Sequence, residues 1–195
     1  MRTLLIALAL GLVAGGVRAQ TEDPGPESNQ RDERYYTESQ ARQRVYGTGT
    51  MWYDTMLVID SIMDAELHHA TGLHEAADTV RLQYGVDQEG RLIGAYRIAS
   101  EVGKFHPFEF LVGLDSTLRV RDIVVLNYRE SRGGDVRRAR FTRQFRGKSV
   151  ESPVRLNRDI LGISGATLSS IAVNRGVKKT LWWANRVWSQ GRARR

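Results

Sequence analysis

The sequence predicts an α+β domain: an antiparallel sheet with packed helices, ended by an amphipathic C-terminal helix that follows a loop of small residues. Three observations carry this. Between Val80 and Val125 apolar residues alternate with others and are interrupted by tight turns, the period-two pattern of strands joined by short links. From Val173 the period changes, and Val173, Val177, Leu181, Ala184 and Trp188 recur at spacings of four, four, three and four. Hydrophobic residues make up 41% of the 195 positions and 19 are glycine, which fits one globular domain of ordinary size.

Arg2 supplies a positive start, Thr3 to Val13 form an apolar run, and Val17-Arg18-Ala19 offers small-residue cleavage chemistry before Gln20. Residues 1–19 are therefore expected to be a secretory signal peptide. The alternative is an uncleaved membrane anchor, although the apolar run is shorter than the about 20 residues a bilayer span needs. Gln20 to Arg34 is rich in Pro, Glu, Asp, Gln and Ser and is expected to be a flexible linker. A single domain over 35–188 follows, with a helical extension at 35–77 and a basic tail at 189–195.

Within the extension, Thr37 caps a short helix, with Gln40 three residues later, running to about Val45. Met51 to Ile59 is expected to be irregular. Asp64 to Ala70 is expected to be helical and to stop at Thr71-Gly72. Val80, Leu82 and Tyr84, the turn Asp87 to Gly90, and Leu92, Gly94 and Tyr96 form a β-hairpin. Phe108 to Gly113 is a strand, Asp115-Ser116-Thr117 a turn, and Leu118 to Val125 a further strand whose alternation slips near Asp122. Gly133-Gly134 precedes a helix capped by Asp135, with Phe141 and Phe145 on one face and Gly147 at its end. Lys178 and Lys179 fall off the stripe of the last helix.

The formal net charge is +7; cleavage after Ala19 would remove Arg2 and Arg18 and no acid, leaving +5. Nucleic acid is the first partner such a balance suggests. It is set aside because the arginines between Arg129 and Arg146 are interspersed with other residue types and an exported protein rarely meets nucleic acid. The chain has no cysteine, so disulfides and thiolate metal sites are excluded.

The segment Asp159 to Ser170 carries the chemistry. Gly165 and Ala166 allow a ligand close to the backbone. Ser164, Thr167, Ser169 and Ser170 supply hydroxyls, and the helix beginning near Leu168 points its free N–H groups and positive end at this loop, a site for a phosphate. A serine-rich helix cap without a ligand explains the same residues equally well. Gly162-Ile163-Ser164-Gly165-Ala166 nearly spells a nucleophile elbow, but it ends in Ala and lacks a strand-turn-helix context.

Ser164-Gly165-Ala166-Thr167, followed by Leu168-Ser169-Ser170, resembles the flavinylation motif of the FMN-binding domain family, which includes flavin subunits of sodium-pumping quinone reductases and Rnf-type complexes. Further resemblance lies in Glu101 to Lys104 with Pro107, Phe110 to Asp115, Tyr128 to Ser131, Phe141 to Lys148 and Asp159. It covers roughly residues 80–187. The resemblance implies one FMN bound as a phosphoester on Thr167, installed from FAD by a flavin transferase. Ser164, Gly165, Ala166, Leu168, Ser169 and Ser170 would surround it, and Glu130 would be a polar contact. Lys104, Arg129 and Lys148 could stabilise an anionic reduced flavin. Tyr128 and His106 could border the ring. The implied role is electron transfer outside the cytoplasm, with redox protein partners in a membrane complex and no catalytic residues of its own. A flavin-dependent reductase of a diffusible acceptor and a cofactor-free binding module are the alternatives. His68, His69 and His74, with Glu66 and Glu75 nearby, have spacings unsuited to one helix face, and no metal is expected there.

Overall fold

Five strands form an antiparallel meander in which chain order is spatial order: β2 (Met51–Val58), β3 (Thr79–Val86), β4 (Leu92–Val102), β5 (Pro107–Asp115) and β6 (Val120–Val125). The computed structural model describes residues 33–130 and 132–193. The signal peptide over 1–19, most of the linker, Ser131 and the last two residues of the basic tail lie outside the described residues. Two-residue strands β1 (Glu33–Arg34) and β7 (Asn127–Tyr128) pair separately, so the end of the expected linker is structured.

The sheet is covered on both faces. On one lies α4 (Thr167–Ala193), whose Val173, Val177, Leu181 and Ala184 join Val80, Leu82, Ala99, Phe110 and Val112. On the other lies α1 (Glu38–Tyr46), whose Ala41, Val45 and Tyr46 join Tyr96, Leu111, Val124 and Leu126. Successive β5 side chains therefore enter opposite cores, which explains why Phe108 to Leu114 contains so little polar sequence. The capping box at the start of α1 forms as expected, with Thr37 and Gln40 bonding each other's backbone. The slip near Asp122 is a bulge: Gly113 faces Asp122 while Leu114 faces Val120, so Arg121 is the extra residue.

Four expectations are corrected. Met51 to Val58 is the edge strand β2 rather than irregular chain; it pairs with β3 over all eight of its residues. Trp52 packs with the α1-side core and Leu57 with the α4-side core, while Met51, Tyr53, Met56 and Val58 are exposed, so its apolar residues do not alternate. The helix expected from Asp64 is α2 (Ser61–Thr71), which starts three residues earlier and is capped by Asp60, whose side chain accepts from the Met63 amide at 2.7 Å. The helix expected from Asp135 is broken into a 3₁₀ turn (Gly134–Arg137), the short α3 (Ala139–Thr142) and a second 3₁₀ turn (Arg143–Phe145). Extended backbone at Arg138 separates the first two, and the Asp135 carboxylate pairs with Arg138 and Arg140 instead of capping. Phe141 and Phe145 still share one buried face, with ring centroids 5.5 Å apart. The backbone of α4 continues to Ala193, through positions expected to be tail.

Lys179 falls off the apolar stripe, as expected, and is nevertheless buried, with Nζ 3.3 Å from Glu75 Oε1 and 2.5 Å from Glu101 Oε1. Glu75 also accepts from Arg97 at 2.9 Å and from Trp183 Nε1 at 3.1 Å. This network sits where β3 and β4 part. Their pairing ends at Gln83 and Tyr96, although β3 starts at Thr79 and β4 runs to Val102. The divergence opens a cavity of about 710 Å³ that Arg97 and Glu75 help line.

Candidate functional site

The loop before α4 is held by its own side chains. Arg155 forks onto Asp159 (2.7 and 3.3 Å), and this hydrogen bond, more than any other influence, holds the Asp159 carboxyl below the usual range. Asp159 thus shapes the loop. Leu161 is clasped by Gln144, which donates to its carbonyl at 3.2 Å and accepts from its amide at 2.8 Å. The chain then turns through Ile163 to Ala166, closed by the Ala166 amide on the Ile163 carbonyl at 2.9 Å. Gly165 has φ +77, a left-handed conformation that a side chain disfavours.

Ser170 is fully buried and completes the turn. Its hydroxyl donates to the Ala166 carbonyl at 2.9 Å and accepts from the Ile163 amide at 3.1 Å. Ser170 therefore braces the loop and does not face solvent. Ser164, Gly165, Thr167 and Leu168 are open to solvent in part or in full, whereas Ala166 is buried beneath them. Thr167 is the first residue of α4, one position earlier than expected, so its hydroxyl stands at the end where amides lack intrahelical partners.

Ser169 is buried on the inner side of the same turn. Tyr128 donates to the Arg132 carbonyl at 2.8 Å, which uses its one proton, so the 2.7 Å contact with Ser169 has Ser169 donating to the Tyr128 oxygen. Burial pushes the Tyr128 phenol up, and its ring packs edge-on against Phe108 at 5.1 Å. Two glycines let these groups converge. A Cβ on Gly133 would lie 2.3 Å from the Tyr128 oxygen and 3.0 Å from the Ser169 oxygen. A Cβ on Gly103 would lie 2.6 Å from Glu130 Oε1 and 3.5 Å from the Ser169 oxygen. The hydrogen bond from position 169 to position 128 has no sequence signal, because neither residue belongs to a shared spacing pattern.

Glu130 acts on the chain itself. Its Oε1 accepts from the backbone amides of Lys104, Phe105 (2.8 Å) and His106 (3.3 Å), tying the β4–β5 turn to the segment after β7. Lys104 and Phe105 are exposed at the tip of that turn, with the Lys104 ammonium 4.6 Å from the Phe105 ring centroid. Arg129 is exposed next to Glu130. Lys148 is half-buried; its backbone bridges Val120 and Phe145, and its charge helps lower Asp159. The structure thus gathers Gly103, Tyr128, Glu130, Gly133, Ala166 and Ser169. It ties Lys148 to Asp159 and the start of β6.

Beside Ser164 runs a groove of about 510 Å³ lined by Arg140, Phe141, Gln144 and Leu161 to Ser164. The histidines serve elsewhere: His68 and His74 stack at 4.3 Å, and His74 Nδ1 lies 2.6 Å from Asp64. Glu66 pairs with Arg186, and Glu75 lies in the buried network. Among the described residues no three His, Asp or Glu side chains are gathered as metal ligands, and no described helix is long and apolar enough to cross a membrane.

Residues 103–181 match the model of the FMN-binding domain. No curated protein sequence matches the chain significantly. Among solved structures the chain is similar to one component of the Na⁺-translocating NADH-quinone reductase from Parabacteroides distasonis. Identity there is 15%, 75% of this chain and 81% of that one are covered, and the TM-score is 0.47. It is also similar to NqrC from Shewanella oneidensis, at 13% identity, 70% and 80% coverage, and a TM-score of 0.46.

Proposed function

Through residues 103–181 the chain belongs to the FMN-binding domain family, and on that premise we propose that it carries one FMN as a phosphoester on Thr167 and passes electrons between redox proteins outside the cytoplasm. The observation that carries the attachment is the exposed Thr167 at the first position of a 27-residue helix, behind a left-handed Gly165. Free amides and the positive end of a helix favour a phosphate there.

The surrounding residues fit such a group. Ser164 and Gly165 expose little bulk beside Thr167, and Leu168 and Phe105 offer apolar surface at 47% and 69% exposure. Ser170 and Gln144 hold the loop so that the hydroxyl does not have to be ordered on reaction. Lys104 and Arg129 would favour negative charge on a nearby ring. FMN would supply one- and two-electron redox chemistry, which these side chains cannot. The protein's part is to bind, orient and tune it.

A flavin transferase drawing on FAD would install the group, and the acceptors would be components of a membrane electron-transfer complex. The signal-peptide pattern in residues 1–19 supports this placement, and a covalent tether prevents cofactor loss outside the cell. The test is co-expression of the full chain with and without a flavin transferase, followed by intact mass and in-gel fluorescence of the denatured protein. Fluorescence should require the transferase and vanish in Thr167→Val, which keeps the shape and loses the hydroxyl. Covalent flavin retained by Thr167→Val would overturn the assignment. Turnover with a soluble acceptor and a nicotinamide donor alone would replace the carrier role with that of a reductase.

A further inference from the structure

We infer that Tyr128 is a positioning residue for the attachment site, acting through Ser169 to fix the first turn of α4 against the loop after β7. The inference rests on the flavin reading above and gives Tyr128 and Ser169 a joint role which that reading does not assign. Tyr128 lies 39 positions before Thr167, at the end of a two-residue strand. Its hydroxyl accepts from Ser169, two positions after Thr167, and donates to the Arg132 carbonyl.

Two walls meet at this point. On one side Gly133, with φ +95, brings the loop backbone to where a Cβ would collide with the Tyr128 oxygen. On the other, Gly103 leaves room for the Glu130 carboxylate that gathers the 104–106 amides, also close to Ser169. Ser169 is 3% exposed and Tyr128 4% exposed, so water does not compete for their bond. Ser169 could instead turn its hydroxyl back onto its own helix, as serines within helices do. The outward bond to Tyr128 is what ties the helical turn carrying Thr167 to the walls on either side.

The fold does not need this hydroxyl for packing. The Tyr128 ring is held by Phe108, and phenylalanine would keep that contact. What the hydroxyl adds is direction: it sets the rotation of the first turn and therefore where the Thr167 oxygen points. An attached flavin would inherit the same constraint, since its tether begins at that oxygen.

The test uses the full chain loaded by a flavin transferase with FAD. Loading is followed by intact mass against time, and visible-region circular dichroism of the loaded protein reports how firmly the ring is fixed. Tyr128→Phe and Ser169→Ala should each slow loading about fivefold, the rate equivalent of one net hydrogen bond, and weaken the flavin ellipticity. The double variant should be no slower than either single one, and Ser169→Thr, which keeps the hydroxyl, should load faster than Ser169→Ala. Thermal melts exclude a folding defect as the cause. Wild-type loading rate and ellipticity in both single variants, even with a lowered melting temperature, would overturn the inference. So would additive effects in the double variant. A wild-type chain that takes no flavin from an active transferase would instead refute the proposed function.

Discussion

Replacing Glu75 by Gln tests the ion network that joins the segment after α2 to the sheet and to α4. Glu75 and Glu101 face Arg97 and Lys179, and side-chain exposure is 4%, 10%, 9% and 6% respectively. Among the described residues, charge is balanced two against two and Arg97 Nη1 has no hydrogen-bond partner. The variant keeps the shape but leaves two buried cations against one carboxylate. Removing one member of a buried pair costs about 3–5 kcal/mol, far more than the pair itself is worth against apolar replacements. For a domain of this size about 1 kcal/mol moves the melting temperature by about 2–4 °C, so Glu75→Gln should lower it by roughly 6–20 °C. Urea denaturation at pH 7, monitored by far-ultraviolet circular dichroism, gives the free energy directly. Glu75→Gln combined with Arg97→Met removes one charge of each sign and should lose less than the two single effects together. A Glu75→Gln variant within about 1 kcal/mol of wild type, or strict additivity in the pair, would refute the claim that these charges act as one buried unit.

Gly176→Ala would place a methyl 2.4 Å from Cζ of Phe110 and 3.1 Å from the Ala99 Cβ. Overpacking of about 1–3 kcal/mol should outweigh the about 1 kcal/mol gained by alanine in a helix interior, and urea melts should show a net loss. The bonds that the Asp64 carboxylate accepts from the Glu75 amide and His74 hold its pKa below the usual carboxylate value. Its contribution is therefore present above the unfolded-state pKa and disappears as pH falls through the lower folded-state value. Asp64→Asn should be less stable than wild type at pH 7, with the difference closing in strong acid; a constant difference down to the lowest pH would contradict this. Native protein should begin at or near Gln20 by N-terminal sequencing, and a chain still starting at Met1 in the inner membrane would refute cleavage.

Local chemistry was legible in the sequence wherever a residue's job involves its own neighbours. The Thr37–Gln40 capping box, the hairpin turn over Asp87 to Gly90, the bulge near Asp122 and the apolar stripe of α4 all depend on spacings of a few residues. The Ser164 to Ser170 segment was visible for the same reason, since a small-residue turn running into a helix is a contiguous pattern. Edge strand β2 was hidden because several of its apolar residues, Met51, Tyr53, Met56 and Val58, are exposed, and Trp52 and Leu57 pack on opposite faces, so no period-two pattern results.

Only the tertiary structure decided what meets that segment. The second buried face of α4 passes through Ala172, Gly176, Lys179 and Trp183, a mixture of small, charged and aromatic residues that no hydrophobic period reveals. Lys179 is buried because Glu75 and Glu101 arrive from 104 and 78 positions away. Glu130 proved to hold backbone amides, and Tyr128 to receive Ser169, for the same reason. A hydrogen bond forms between atoms within about 3 Å, and in a folded chain that proximity is set by how strands and helices stack. Sequence spacing fixes it only within a turn or two.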